Sequence, residues 1–217
     1  MIAAALIIIA SLFFTGIIVR VKSRLSGRKG PGMFQPLRDI LRNLRKGSVY
    51  SETTSFVFQL APSVSMATLL VAMACVPLGN TPGLISFRYD FVFFAYTLAT
   101  GKFLMVIAAL DTGSSFEGMG ASREALFSLL VEPAFFTIMG SFALFTGHGS
   151  FSEIFSALHG MEGRSPGVSI TLSALAAMTV MFVGMVENSR MPVDDPKTHL
   201  ELTMIHEVMI LDNSGFD

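Results

Sequence analysis

The chain has 217 residues, 52% of them apolar and only 14% charged, with a mean hydropathy of +0.62. Too few polar residues remain to cover an ordinary soluble domain, and the formal net charge of -1 conceals an asymmetry, basic residues lying mostly early and acidic ones mostly late, so charge alone says little about partners, among which no nucleic acid is expected. The single cysteine, Cys75, excludes intrachain disulfides and any self-contained iron–sulfur or cysteine-rich zinc site, so redox centres that the chain serves have to sit on partner chains.

Met1 to Val19 is an apolar stretch without a charge. It lacks a basic start and a small-residue cleavage site, and Arg20 follows it, so it reads as a retained membrane helix. Further apolar runs at Ser55 to Leu78, Phe91 to Leu110, Ala125 to Thr146 and Val168 to Val186 predict five crossings. The expected fold is an all-α polytopic membrane helix bundle, residues 1–217 forming a single membrane domain without repeats. With the amino end outside, twelve Lys and Arg residues fall inside and only Arg88 and Arg164 outside. Segments 20–53, 111–124 and 187–217 then share the cytoplasmic face.

The first of these segments predicts a short amphipathic helix after Gln35. Pro36 suits a first turn, and Leu37, Ile40, Leu41 and Leu44 recur at helical spacing opposite Arg38, Arg42, Arg45 and Lys46. Such a helix lies on the membrane surface against lipid, or offers Gln35, Arg38, Asp39, Arg42 and Arg45 to a peripheral partner. Within the third and fourth runs stand two charges, Lys102 and Glu132, each about 10 to 12 Å from the cytoplasmic end of its helix. Unpaired charge at that depth is costly, so the two are expected to approach one another, directly or through water, with Pro133 freeing the Leu129 carbonyl beside Glu132. Asp111 to Glu124 reads as a glycine-rich flexible loop around Glu117, with Ser122 capping the fourth helix. It has no Gly-Lys-Ser/Thr and is not a phosphate loop.

Residues 187–217 hold seven carboxylates, two histidines and two cations. Asp195 as N-cap and Pro196 in the first turn predict a helix running to about Leu211. His199, Thr203, His206 and Glu207 share its polar side, while Glu201 falls among apolar residues, where a carboxylate is expensive unless it protonates or finds a partner. His206-Glu207 lacks the second histidine of a zinc peptidase, because Ile210 stands there. His199 and His206 read as proton carriers or structural histidines rather than as metal ligands.

Glu187, Arg190, Pro192, Asp194, Pro196, Glu201 and Leu202 match the pattern E-x-x-R-x-P-x-D-x-P-x-x-x-x-E-L. Gly30-Pro31, Gln35-Pro36-Leu37 with Asp39, Leu60-Ala61-Pro62 with Pro77, and Gly120-Ala121-Ser122 agree in order along the chain. In these motifs the sequence resembles subunit 1 of respiratory complex I and the related membrane subunits of energy-converting [NiFe] hydrogenases. PVDDPKTHLELTMIHEVMILD is similar to the hydrogenase-4 and formate hydrogenlyase branch. Members continue with further membrane helices, which are expected to be absent from this version or to lie on another chain.

The resemblance implies a subunit without redox centres in a prokaryotic inner membrane. It would anchor hydrogenase small and large subunits and other iron–sulfur subunits, with iron–sulfur clusters and the nickel–iron site on those partners, and would sit beside antiporter-like membrane subunits. The residues implied for proton or ion coupling are Glu201, Glu187, Asp194, Asp195, His199, His206, Glu207, Glu132, Lys102, Asp111, Glu117 and Glu124, with Arg190 joining the docking set. Two rivals are a quinone-reducing complex, with quinone bound at the same face, and a stand-alone cation carrier.

Overall fold

The computed structural model describes residues 2–78, 81–160, 166–188, 193–194 and 204–214. Among them are seven helices and one further helical turn, with no strand beyond an isolated bridge between Leu78 and Thr81. The backbone gathers into two compact units, Met1–Tyr50 with Asn213–Asp217, and Ser51–Asp212.

In the first unit, α1 (Ile2–Leu25) runs past the apolar stretch into Arg20, Lys22 and Arg24, good helix formers whose charges can stay solvated. It stops at Gly27, whose φ of 69° places it in the left-handed region; the Arg28 amide donates to Ser23 and the Gly27 amide to Arg24, a Schellman closure. The returning chain crosses α1 at Gly16, where a side chain would collide with the Met33 carbonyl, and Phe34 meets Phe13 edge to face at 5.4 Å. Then α2 (Gln35–Asn43) forms with Pro36 in its first turn, as its spacing predicts. None of its residues is buried, and Ile40, Leu41 and Leu44 are all exposed.

The second unit holds α3 (Phe56–Cys75), α4 (Asp90–Asp111), α5 (Ser115–Thr146), α6 (Phe151–Gly160), α7 (Pro166–Glu187) and the single turn α8 (His206–Met209). Four helices among the described residues, α3, α4, α5 and α7, are long and apolar enough to cross a membrane. Their apolar side chains point outward as well as inward: Leu129 and Leu144 on α5 and Ile170 on α7 are widely exposed. Small residues let α3 and α4 approach closely. Ala61 and Ala108 are buried at their contact, and a side chain on Gly101 would strike the Thr68 hydroxyl. A second core joins Phe91, Met139, Phe142, Phe151, Ile154 and Ala176.

The flexible loop expected between Asp111 and Glu124 is mostly helix. The break after α4 is Thr112 to Ser114, with Gly113 at φ 71°, and α5 begins at Ser115, so Ser122 lies inside it and donates to the Met119 carbonyl instead of capping. Glycine costs only about 1 kcal/mol per residue in a helix, and close packing on Gly120 and Ala121 outweighs that here.

Candidate functional site

The earlier start of α5 resets which charges can meet. Lys102 stands nine residues before the end of α4 and Glu124 nine residues after the start of α5. In an antiparallel pair both therefore lie about 14 Å from the common end, whereas Glu132 is about 12 Å further along. Accordingly Lys102 Nζ lies 3.0 Å from Glu124 Oε1 and 2.7 Å from Glu187 Oε1 at the end of α7, and donates to Ser128 Oγ at 3.3 Å. The expected Lys102–Glu132 pair is absent, and Glu132 makes no ion pair or hydrogen bond with a described residue. One cation thus faces two carboxylates, leaving a formal charge of minus one among three helices long and apolar enough to cross a membrane. A cavity of ≈ 330 Å³ opens beside it, lined in part by Ser65, Thr68, Asn188 and His206.

The polar groups near the Asp111 end have a different task. Asp111 Oδ2 accepts from the Ser55 amide at 2.6 Å and so joins the end of α4 to the start of α3. Glu117 is fully buried; its Oε1 accepts from the Asp212 amide at 3.0 Å, and its Oε2 has no partner among the described residues. Asp194, also buried, accepts from the amides of Ile205 at 3.3 Å and His206 at 3.1 Å, while Arg123 donates to the Met204 carbonyl at 2.8 Å. These side chains take up backbone groups that a continuous helix would have used. Hence Met204 and Ile205 are not helical, and the helix expected to run unbroken to about Leu211 is reduced, where described, to the turn α8.

That turn rests directly on α5. A β-carbon on Gly120 would lie 2.8 Å from the Ile205 carbonyl oxygen and 2.9 Å from Met209 Cγ. Gly120→Val is expected to cost about 1–3 kcal/mol and to speed limited proteolysis near residues 204–214; an unchanged cleavage rate would show that α8 does not depend on this contact.

Lys102, Glu124, Glu187 and His206 therefore share one cavity, while Asp111, Glu117 and Asp194 fix backbone around it. Asp195, His199, Glu201 and Arg190 lie outside the described residues, as does the side chain of Glu207. Gln35, Arg38, Asp39, Arg42 and Arg45 belong to the first unit, where Asp39 accepts from Gln35 at 3.1 Å and pairs with Arg42 at 3.1 Å. Ser128 and Arg123 escaped the sequence reading. Ser128 follows Glu124 by one helical turn and could have been found once the helix start was known; Arg123 acts across 81 residues, which no local pattern reveals.

The family model described as NADH dehydrogenase matches residues 1–208. The chain belongs to the NADH dehydrogenase family. Within that family it is 31% identical over 199 residues to hydrogenase-4 component C of Escherichia coli (strain K12), covering 92% of this chain and 62% of that protein. It is 30% identical over 203 residues to formate hydrogenlyase subunit 4 of the same organism, covering 93% and 64%. The chain thus spans less than two thirds of the length of these two family members. Its fold is similar to that of a chain in the membrane-bound sulfane sulfur reductase, an archaeal respiratory membrane complex, with a TM-score of 0.69 over 97% of this chain and 72% of that one, at 22% identity.

Proposed function

We propose that the chain is the membrane anchor and coupling subunit of an energy-converting [NiFe] hydrogenase of the formate hydrogenlyase type. In this reading it docks hydrogenase small and large subunits and iron–sulfur subunits, abuts antiporter-like subunits, and links electron transfer to proton or sodium translocation. The observation that carries it is the Lys102–Glu124–Glu187 group, one cation shared by two carboxylates within apolar helices. Charge placed within a membrane helix is expensive and marks ion pathways. The likeness to two hydrogenase and formate hydrogenlyase subunits supports the branch.

Iron–sulfur clusters and the nickel–iron site would belong to the partner chains. A change of charge on a docked partner would act through the segment that carries Asp194 and His206. The excess carboxylate of the group would give an incoming proton or cation a place to stay, with Lys102 favouring Glu124 or Glu187 in turn. Five crossings with the amino end outside would put these loops on the cytoplasmic side of a prokaryotic inner membrane, with α1 as the first crossing and α2 on that surface.

The test is purification of the complex in mild detergent, with its subunits identified and nickel measured. The expected result is co-purification of a nickel-containing large subunit. A complex with bound quinone and no such subunit would overturn the hydrogenase branch, and cation transport by the chain alone in vesicles would overturn the subunit reading.

A further inference from the structure

At the far end of α4 and α5, opposite Asp111 and Ser115, lies a cavity of ≈ 790 Å³ that the coupling reading does not use. We propose that it binds a glycerophospholipid, the phosphate resting on the Arg88 guanidinium and one acyl chain lying along α5 over Gly140 and Leu144.

The polar half of the cavity is built around a fixed cation. Arg88 lies over the Tyr89 ring, 5.0 Å from its centroid, and makes no ion pair with a described carboxylate. Glu153, in the same lining, is turned to His148 at 3.8 Å. The five donors of the guanidinium are thus available to a phosphodiester. The backbone beneath is held in an unfavourable shape: Tyr89 adopts φ 65° and ψ 31°, in the left-handed region. Two short bonds hold it there. The Tyr89 amide donates to the Gly149 carbonyl at 2.7 Å, and fully buried Asp90 accepts from the Phe151 amide at 2.7 Å. Strain retained by its surroundings in this way clusters at ligand clamps.

The apolar half is a groove. Gly140, Ala143, Leu144 and Gly147 line it from α5, and a β-carbon at Gly140 or Gly147 would meet nothing within 4 Å. From Gly140 to Gly147 the helix offers about 10 Å of wall, and Leu144 is 88% exposed at its centre. Inorganic phosphate would have no use for that wall. The cavity also sits at the end of two helices suited to crossing a bilayer, the level at which headgroups and aromatic residues such as Tyr89 lie.

Native mass spectrometry of the delipidated complex, with phosphatidylethanolamine or phosphatidylglycerol added back, tests this. Arg88→Gln and Gly140→Leu are each expected to weaken lipid retention about tenfold, while millimolar inorganic phosphate leaves the wild-type lipid in place. Equal retention in both variants, or displacement by inorganic phosphate alone, overturns the proposal. A phospholipid with a photoreactive acyl chain gives an answer without any substitution: labelling of the peptide containing Leu144 supports the site, and labelling only elsewhere overturns it.

Discussion

Ion translocation is expected to fall to background in the Lys102→Met variant while the redox reaction of the complex continues. Lys102 is the one cation paired with Glu124 and Glu187 among the described residues, at 3.0 and 2.7 Å. Methionine fills similar space but leaves two carboxylates facing one another without a counter-charge. Breaking a fully buried pair costs about 3–5 kcal/mol, and partial exposure moderates this to about 2–4 kcal/mol; the side chains of Lys102, Glu124 and Glu187 are 21%, 10% and 30% exposed. Thermal unfolding in detergent reads that cost, and proton- or sodium-sensitive dye in vesicles reads translocation. Adding Glu187→Gln removes the repulsion, so the double variant should recover most of the stability and none of the translocation. If translocation returned together with stability, Lys102 would be a structural cation only.

Asp194→Ala is the second large effect. The residue is 2% exposed, and its carboxylate is the acceptor for the amides of Ile205 and His206. Alanine would strand both donors, at a cost of about 2–4 kcal/mol, and release α8 from its place beside the cavity. Amide hydrogen exchange over residues 205–209 is expected to quicken about a hundredfold, with exchange in the middle of α4 unchanged. Asp194→Asn keeps one acceptor oxygen and should show an intermediate rate. Wild-type exchange in Asp194→Ala would mean that the Asp194 carboxylate is not what holds α8 in place.

The membrane helices were legible because about twenty apolar residues in a row admit few other structures. Lys102 was legible too, since a charge inside such a run stands out. Its partner was not. Gly118, Gly120 and the serines around them favour turns by composition, yet the same small residues are what a helix needs where another backbone crosses it. Reading them as a loop placed the helix start ten residues late and moved the expected partner from Glu124 to Glu132. The last segment failed for a related reason. Its helical spacing is real, but Asp194 and Arg123 capture the backbone groups of Met204 to His206. Polar competition over long sequence separations leaves no periodic trace. The short helix α6 has Phe151, Ile154, Phe155 and Leu158 at helical spacing, but ten residues between two long apolar runs are too few to register as a membrane element.

The 32 residues of α5 exceed what a bilayer needs, and Pro133 interrupts its hydrogen-bond ladder in the middle. The portion before that proline, Ser115 to Glu132, is a rod about 27 Å long that touches α8 near its tip and Lys102 near its waist. Pivoting at Pro133 by about 5° would sweep the tip through about 2 Å and Glu124, halfway along the rod, through about 1 Å, enough to stretch an ion pair of 3.0 Å. In the proposed coupling role, a modest push on the polar end would become a shift of charge among apolar helices, with this helix as the lever and Pro133 as its fulcrum.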